Sequence, residues 1–179
     1  MGSDRLIREV GDGRITLRRA DITTLSVDAV VNAANASLAG GGGVDGAVHR
    51  AAGPELMREL SQRYQGCPTG SAVLTGAGRL PARSVIHAVG PRWRDGQHGE
   101  PELLASAYRA AFALASEHGC RTVAAPAIST GIYGFPVELA APIAIVAAVA
   151  ALEAAGTGLR EITFALFSDA DLEVFARAL

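Results

Sequence analysis

Lysine is absent from this chain of 179 residues, and all sixteen basic side chains are arginine. Against eighteen acidic residues they leave a formal net charge of −2, with no basic run anywhere along the sequence. Gripping a nucleic-acid backbone requires many phosphates to be neutralised together, so extended nucleic-acid binding is not expected. A single nucleotide held by a few backbone groups remains compatible. Cysteine is scarce: Cys67 and Cys120 carry no CxxC or Cys/His spacing. Neither a zinc site nor a disulfide framework is indicated, and a reducing cytoplasm is the simplest setting. Long hydrophobic runs are also lacking. The apolar stretch at 139–152 has 14 residues, includes Pro142, and falls short of the ~20 needed to span a bilayer, so it reads as a buried helix and not as a membrane segment. The opening MGSDRLIREV has no apolar core of a signal peptide. No Ser/His/Asp or Cys/His set suggests a covalent nucleophile, and no paired metal ligands occur, so neither a metal nor a cofactor is expected.

What is present is globular in character, with 49% hydrophobic and 19% charged residues. The length fits one domain, residues 1–179, with a core from about 15 to 167. Strand patterns occur at 15–19, 29–33, 72–75, 84–89, 122–127 and 162–167. Helical spacing occurs at 44–64, at 103–118, and after Pro136, and Asp169 is placed to cap a last helix. Alternating strands and helices imply an α/β fold with a mostly parallel sheet covered on both faces, and some antiparallel pairing at an edge. Ligands of such sheets bind beyond the carboxyl ends of the strands.

Two loops follow predicted strands and would meet on that rim. The first runs from Asn32 through Asn35 and the glycines Gly40, Gly41, Gly42 and Gly43 to Val44, Asp45 and His49. Glycine lets a backbone turn its N–H groups toward a ligand, and a helix N-terminus adds the positive end of its dipole. This reads as a phosphate cradle or as a flexible connection; the spacing matches neither the Walker pattern nor GxGxxG. The second loop, Ser129-Thr130-Gly131-Ile132-Tyr133-Gly134, is either a second anion loop with a ring to stack on a sugar or an ordinary turn. Asp21 caps a helical turn or accepts from the exocyclic amine of adenine. Asp45 and His49 share a helix face. They compensate the dipole and pack, or they line a polar pocket with Asn35 in which Asp45 holds a water.

Taken together, the ordered motifs ADIT (20–23), VVNAAN (30–35), GGGGVDGAVHRAAG (40–53), HAVGPRW (87–93) and PAISTGIYGFP (126–136) resemble the macrodomain family, and within it the MacroD-type ADP-ribosyl hydrolases. The resemblance covers about residues 15–167. It implies a three-layer α/β/α fold around a mixed, mostly parallel sheet with an ADP-ribose cleft. By the same resemblance Asp21 and Ile22 bind adenine, and Asn32 and Ala33 border the distal ribose. Gly42, Gly43 and Val44 meet ribose and diphosphate, while Ser129, Thr130, Gly131, Ile132 and Tyr133 wrap the diphosphate. Asn35, Asp45 and His49 are the implied catalytic set, orienting the ribose, activating water and supporting the carboxylate. The chain departs from the family pattern with Ala20 before Asp21, with Tyr133 in place of phenylalanine, and in a tail without the usual tyrosine, for which Phe167 stands as candidate replacement.

The implied function is removal of mono-ADP-ribose from acidic side chains of modified proteins, together with deacetylation of O-acetyl-ADP-ribose, by a cytoplasmic monomer. Its partners are ADP-ribose, mono-ADP-ribosylated proteins and O-acetyl-ADP-ribose, and ADP-ribosylated nucleic-acid ends also remain open. The alternatives are a reader module that binds ADP-ribose without turnover and a phosphatase acting on ADP-ribose 1″-phosphate.

Overall fold

In the computed structural model, which describes residues 5–179, the extended stretches join one sheet. Its strands are β1 (Arg5–Val10), β2 (Gly13–Arg19), β3 (Val27–Ala34), β4 (Ala72–Gly76), β5 (Ala82–Val89), β6 (Thr122–Ala125) and β7 (Glu161–Leu166). They lie in the order β1-β2-β7-β6-β3-β5-β4. The five inner strands are all parallel, and β1 and β4 pair antiparallel at the two edges. This is the mixed, mostly parallel sheet that the pattern implies. Five of the six residues of β1 are exposed, so no apolar alternation marked it in the sequence; it is the outer arm of a hairpin that turns at Gly11 (φ +56°). Part of the MGSDRLIREV reading falls on residues 1–4, outside the described residues.

Five helices cover the faces: α1 (Gly43–Ala52), α2 (Pro54–Arg63), α3 (Glu100–Glu117), α4 (Val137–Glu153) and α5 (Asp169–Ala178). Strand residues alternate between two cores, as a period of two requires. Ala29 and Val31 of β3, Ile86 and Ala88 of β5, and Ile162, Phe164 and Leu166 of β7 pack with α3, α4 and α5. Val30, Val85, Ala124 and Ala165 face α1 and α2. The fold is therefore α/β/α in three layers.

Three local expectations are corrected. The helical spacing at 44–64 is two helices, because Gly53 adopts φ +90° and Pro54 offers no N–H to continue the ladder. The cap of α5 is Ser168, whose side chain accepts from Asp171 N at 3.1 Å, while Asp169 pairs with Arg19 at 3.1 Å instead. The apolar helix α4 is only half covered: Ala141, Ala144 and Ala148 are buried, but Leu139 and Val146 are exposed. No helix among the described residues is long and apolar enough to cross a membrane.

Candidate active site

All five parallel strands point their carboxyl ends at one rim, in the order β2, β7, β6, β3, β5. The segments that leave them stand in a row: Asp21 after β2, Phe167 after β7, residues 126–135 after β6, 35–43 after β3, and 90–94 after β5. Four inter-strand spacings of about 4.8 Å make this row roughly 19 Å long. Its middle is a cavity of about 250 Å³ whose wall includes Asn35, Gly42, Val44, Asp45, Ser129 and Tyr133. Ala33, Gly43, Gly131 and Ile132 also line it.

The two loops touch across this cavity. A Cβ built at Gly42 would come 3.3 Å from Ile132 Cδ1, so Ile132, itself 78% exposed, reaches over the glycine loop like a lip. Gly42 caps α1 without any side-chain hydrogen bond, which leaves the first N–H groups of that helix open toward an anion. Opposite, Ser129 holds φ +69°, a backbone conformation that costs a non-glycine residue of order 1–3 kcal/mol. Its buried hydroxyl has no hydrogen-bond partner. Strain plus an unpaired hydroxyl in a cavity wall is the pattern of a group held ready for a ligand. Thr130 is turned the other way, its hydroxyl donating to Ala127 O at 2.8 Å.

At the β3 end of the cavity sits a file of polar side chains. Asp45 is 6% exposed. Its Oδ1 accepts from Asn32 Nδ2 at 2.7 Å and lies 3.3 Å from His49 Nε2 one helical turn on. The same Asn32 amide reaches His87 Nδ1 at 3.1 Å, and His87 Nε2 meets Thr75 Oγ1 at 3.0 Å. Thr75 in turn donates to Gly76 O at 2.8 Å. The partners fix each role: an amide N–H donates to His87 Nδ1, so the ring proton is on Nε2 and points at Thr75. Sheet register explains the file, since Asn32 and His87 are direct partners on β3 and β5.

This places Asn32 differently from the expectation that it borders the ribose. Asn32 is fully buried on the α1 face of β3, behind Asp45, and its amide serves the carboxylate. Burial alone would raise the Asp45 pKa, but the hydrogen bonds from His49 and Asn32 outweigh it and leave the group below the ordinary carboxylate value. Asp45 is thus an anion at neutral pH. Burial, with the nearby His49, pushes His87 down to about 4, so this imidazole stays neutral. Asn35 knots its own loop: its amide donates to Gly40 O at 2.8 Å, and its Oδ1 accepts from Ser37 Oγ at 3.0 Å and Ala39 N at 3.2 Å. One N–H of that amide remains for a ligand.

The far end of the row is sparser. Asp21 Oδ1 accepts from Thr23 N at 3.0 Å and Thr23 Oγ at 2.7 Å, which is the capping role; its second oxygen appears in no bond among the described residues. Ile22 is buried. Phe167 is 92% exposed just past β7, and Ala20 N bonds Leu166 O at 3.2 Å, so its backbone follows directly on a residue paired with the segment that carries Asp21. Sequence alone assigns no role to His87, Thr75 or Arg92, because a lone histidine in a strand carries no signal until its partner strand is known.

Comparisons with known proteins agree with this geometry. A family model described as Macro domain matches residues 31–144, from the middle of β3 into α4. A macro domain-containing protein of Chlorobaculum tepidum is 59% identical over 161 residues, 90% of this chain and 92% of the relative. A protein of Escherichia fergusonii named O-acetyl-ADP-ribose deacetylase is 60% identical over 135 residues, 74% of this chain and 76% of its own. A solved Oceanobacillus iheyensis macrodomain with ADP superposes with a TM-score of 0.90 at 37% identity, covering 97% of this chain and 94% of the other. Sheet order, the open α1 terminus and these matches converge on one assignment: the chain belongs to the macro domain family.

Proposed function

We propose that this chain binds ADP-ribose along the rim and hydrolyses acyl esters on its distal ribose. The substrates are O-acetyl-ADP-ribose and ADP-ribose esterified to acidic side chains of proteins. The observation that carries the reading is the Asp45 carboxylate, held as an anion by Asn32 and His49 at the end of a cavity whose middle offers an uncapped helix terminus and an unpartnered serine hydroxyl. Support for the ligand comes from the relatives: one is named for O-acetyl-ADP-ribose, and a structural neighbour was solved with ADP. The row is also long enough for two sugars joined by a diphosphate.

In the reaction a water oxygen bonds to the carbon under attack as the ester C–O bond breaks, giving ADP-ribose and a free carboxylic acid. A carboxylate of lowered pKa is a weak base, so Asp45 serves chiefly to hold and aim the water and to take up proton density as the new bond forms. The substrate diphosphate is a second acceptor for that proton. Asn35, with its loop tied at Gly40, orients the ribose. No step calls for a metal or a cofactor.

The test is Asp45→Ala assayed for binding and for turnover. Hydrolysis of O-acetyl-ADP-ribose and of an ester-linked ADP-ribosyl peptide is expected to fall about 10²–10⁴-fold, with ADP-ribose affinity measured by calorimetry changing little. Equal turnover by parent and variant removes Asp45 from the chemistry. Tight ADP-ribose binding by the parent without hydrolysis of any ester makes the protein a reader, and phosphate release from ADP-ribose 1″-phosphate alone makes it a phosphatase.

A further inference from the structure

Beyond the ribose end of the row a second cavity opens, of about 600 Å³. It shares Asn35, Gly90, Arg92 and Tyr133 with the first, so the two form one path whose neck lies where the reacting ester would sit. At this neck the backbone after β5 presses against the β6 loop: a Cβ at Gly90 would collide with Ser129 Oγ and Ile128 Cγ2. Arg92 stands at the neck itself; past it the wall carries Arg94 and His98 among Ala36, Val89 and Pro91, with Glu100 beneath and His98 Nδ1 paired with Asp95 Oδ1 at 2.8 Å.

Two features make this wall a receptor for negative charge. Neither the Arg92 nor the Arg94 guanidinium forms an ion pair among the described residues; Arg92 instead lies over the Tyr133 ring at 4.9 Å. The segment that presents Arg94 is tied to one side chain. The buried Glu100 carboxylate accepts from the backbone N–H groups of Arg94 (3.0 Å), Asp95 (3.1 Å), Gly96 (2.9 Å) and His98 (2.6 Å), winding residues 94–98 around one anion. Burial opposes that charge, but backbone hydrogen bonds from Gly96, Glu100 itself, Arg94 and Asp95 hold the Glu100 pKa down to about 2. With its carboxylate saturated in this way, Glu100 leaves the arginines outward and uncompensated.

We propose that this second cavity is the subsite for the acyl side of the ester, and that it receives a polypeptide rich in acidic residues around the modified side chain. The inference rests on the ester-hydrolase reading above. An acetyl group is too short to reach past the neck, whereas the side chain of a modified glutamate would join the ester to flanking residues lying in the groove. A polypeptide suits the wall better than a nucleic acid: two free arginines among small apolar residues match a short acidic peptide, while an extended phosphate backbone needs more neutralising charge than this chain of net −2 offers there.

The experiment compares three esters on the full chain and on Arg94→Glu, with a nucleic acid ADP-ribosylated at its end as a fourth substrate; the esters are O-acetyl-ADP-ribose, a peptide ADP-ribosylated on a glutamate flanked by acidic residues, and the same peptide with neutral flanks. The parent is expected to prefer the acidic peptide over the neutral one by about three- to tenfold in kcat/KM at low salt, with the preference collapsing in 0.5 M NaCl as the ~10 Å screening length shortens. Arg94→Glu is expected to abolish the preference and to leave O-acetyl-ADP-ribose turnover within about twofold. Equal turnover of the two peptides by a parent that hydrolyses all three esters overturns the subsite and leaves the ester-hydrolase reading standing. An equal loss on the acetyl ester in Arg94→Glu also overturns it. A larger loss on a nucleic acid ADP-ribosylated at its end than on the acidic peptide assigns the groove to nucleic acid, against the proposal. No turnover of any ester by the parent removes both readings.

Discussion

The two faces of the sheet are built on opposite plans. Under α3, α4 and α5 lie Tyr108, Phe112, Phe164 and Phe175, fully buried and ring against ring, with Tyr108 and Phe164 edge to face at 6.1 Å. The single buried hydroxyl there is satisfied, Tyr108 donating to Pro126 O at 2.8 Å and accepting from Ile128 N at 2.9 Å. Under α1 the apolar cluster of Val30, Val48 and Val85 is interrupted by a polar line, Asp45, Asn32, His87 and Thr75, with Asn32 Oδ1 left without a partner. One face supplies stability through apolar burial. The other gives up apolar burial to hold one carboxylate ionised and aimed, because a buried polar chain is costly unless nearly every member is bonded.

The largest expected break in this contrast is on the apolar face. Phe164→Ala removes a ring at the centre of the core and is expected to cost about 3–5 kcal/mol, lowering the thermal midpoint by on the order of 10 °C. Activity per folded molecule should stay near the parent value; a matching loss of kcat would mean that the two faces are not separable. Acid titration probes the polar face. Because folding lowers the His87 pKa from 6.5 to about 4, the unfolded chain binds a proton that the folded one refuses. Stability therefore falls as pH drops from 6.5 toward 4, by an amount on the order of 3 kcal/mol. Asp45, Glu100 and Glu161, whose pKa values folding lowers, contribute stability that is lost only below about pH 4.5. In His87→Gln, a pH-unfolding series should lose the upper window and keep the lower one.

Smaller in stability but sharper in function is Asn32→Ala. It leaves His87 Nδ1 and one side of Asp45 without a donor, costing about 1–3 kcal/mol, and it frees the carboxylate to drift. A drop of about 10- to 100-fold in kcat with little change in KM is expected. A variant that loses stability alone would reduce Asn32 to packing. Least affected is the rim at β2: Arg19→Ala breaks an exposed pair with Asp169 and is expected to shift stability by about 0.5 kcal/mol or less.

The same contrast explains what could be read from the sequence. The apolar face announces itself through periodicity, so β3, β5, β6 and β7 and the α/β class were legible, as were the loops that follow them. The Gly53-Pro54 break was present as residues, yet a helical spacing that continued through it concealed the change from α1 to α2. On the polar face, Asn32 and Asn35 look alike in VVNAAN. Only strand alternation and the neighbour on β5 separate the one buried behind Asp45 from the one in the cavity wall. His87 and Thr75 acquire meaning from register between strands distant in sequence, and Arg92 and Arg94 from the turn that Glu100 gathers around itself.

Because the strand ends stand in a row, each part of a ligand meets its own loop, and the site is divisible. AMP is expected to settle where β2, β7 and β6 end, and ribose 5-phosphate toward β3 and β5, each weakly. Joining the halves makes the second contact a local event at an effective concentration of about millimolar, so each half tightens the whole only by the ratio of that concentration to its own dissociation constant. An inhibitor can accordingly be assembled from two fragments found separately, with a tether whose length is set by the spacing of parallel strands.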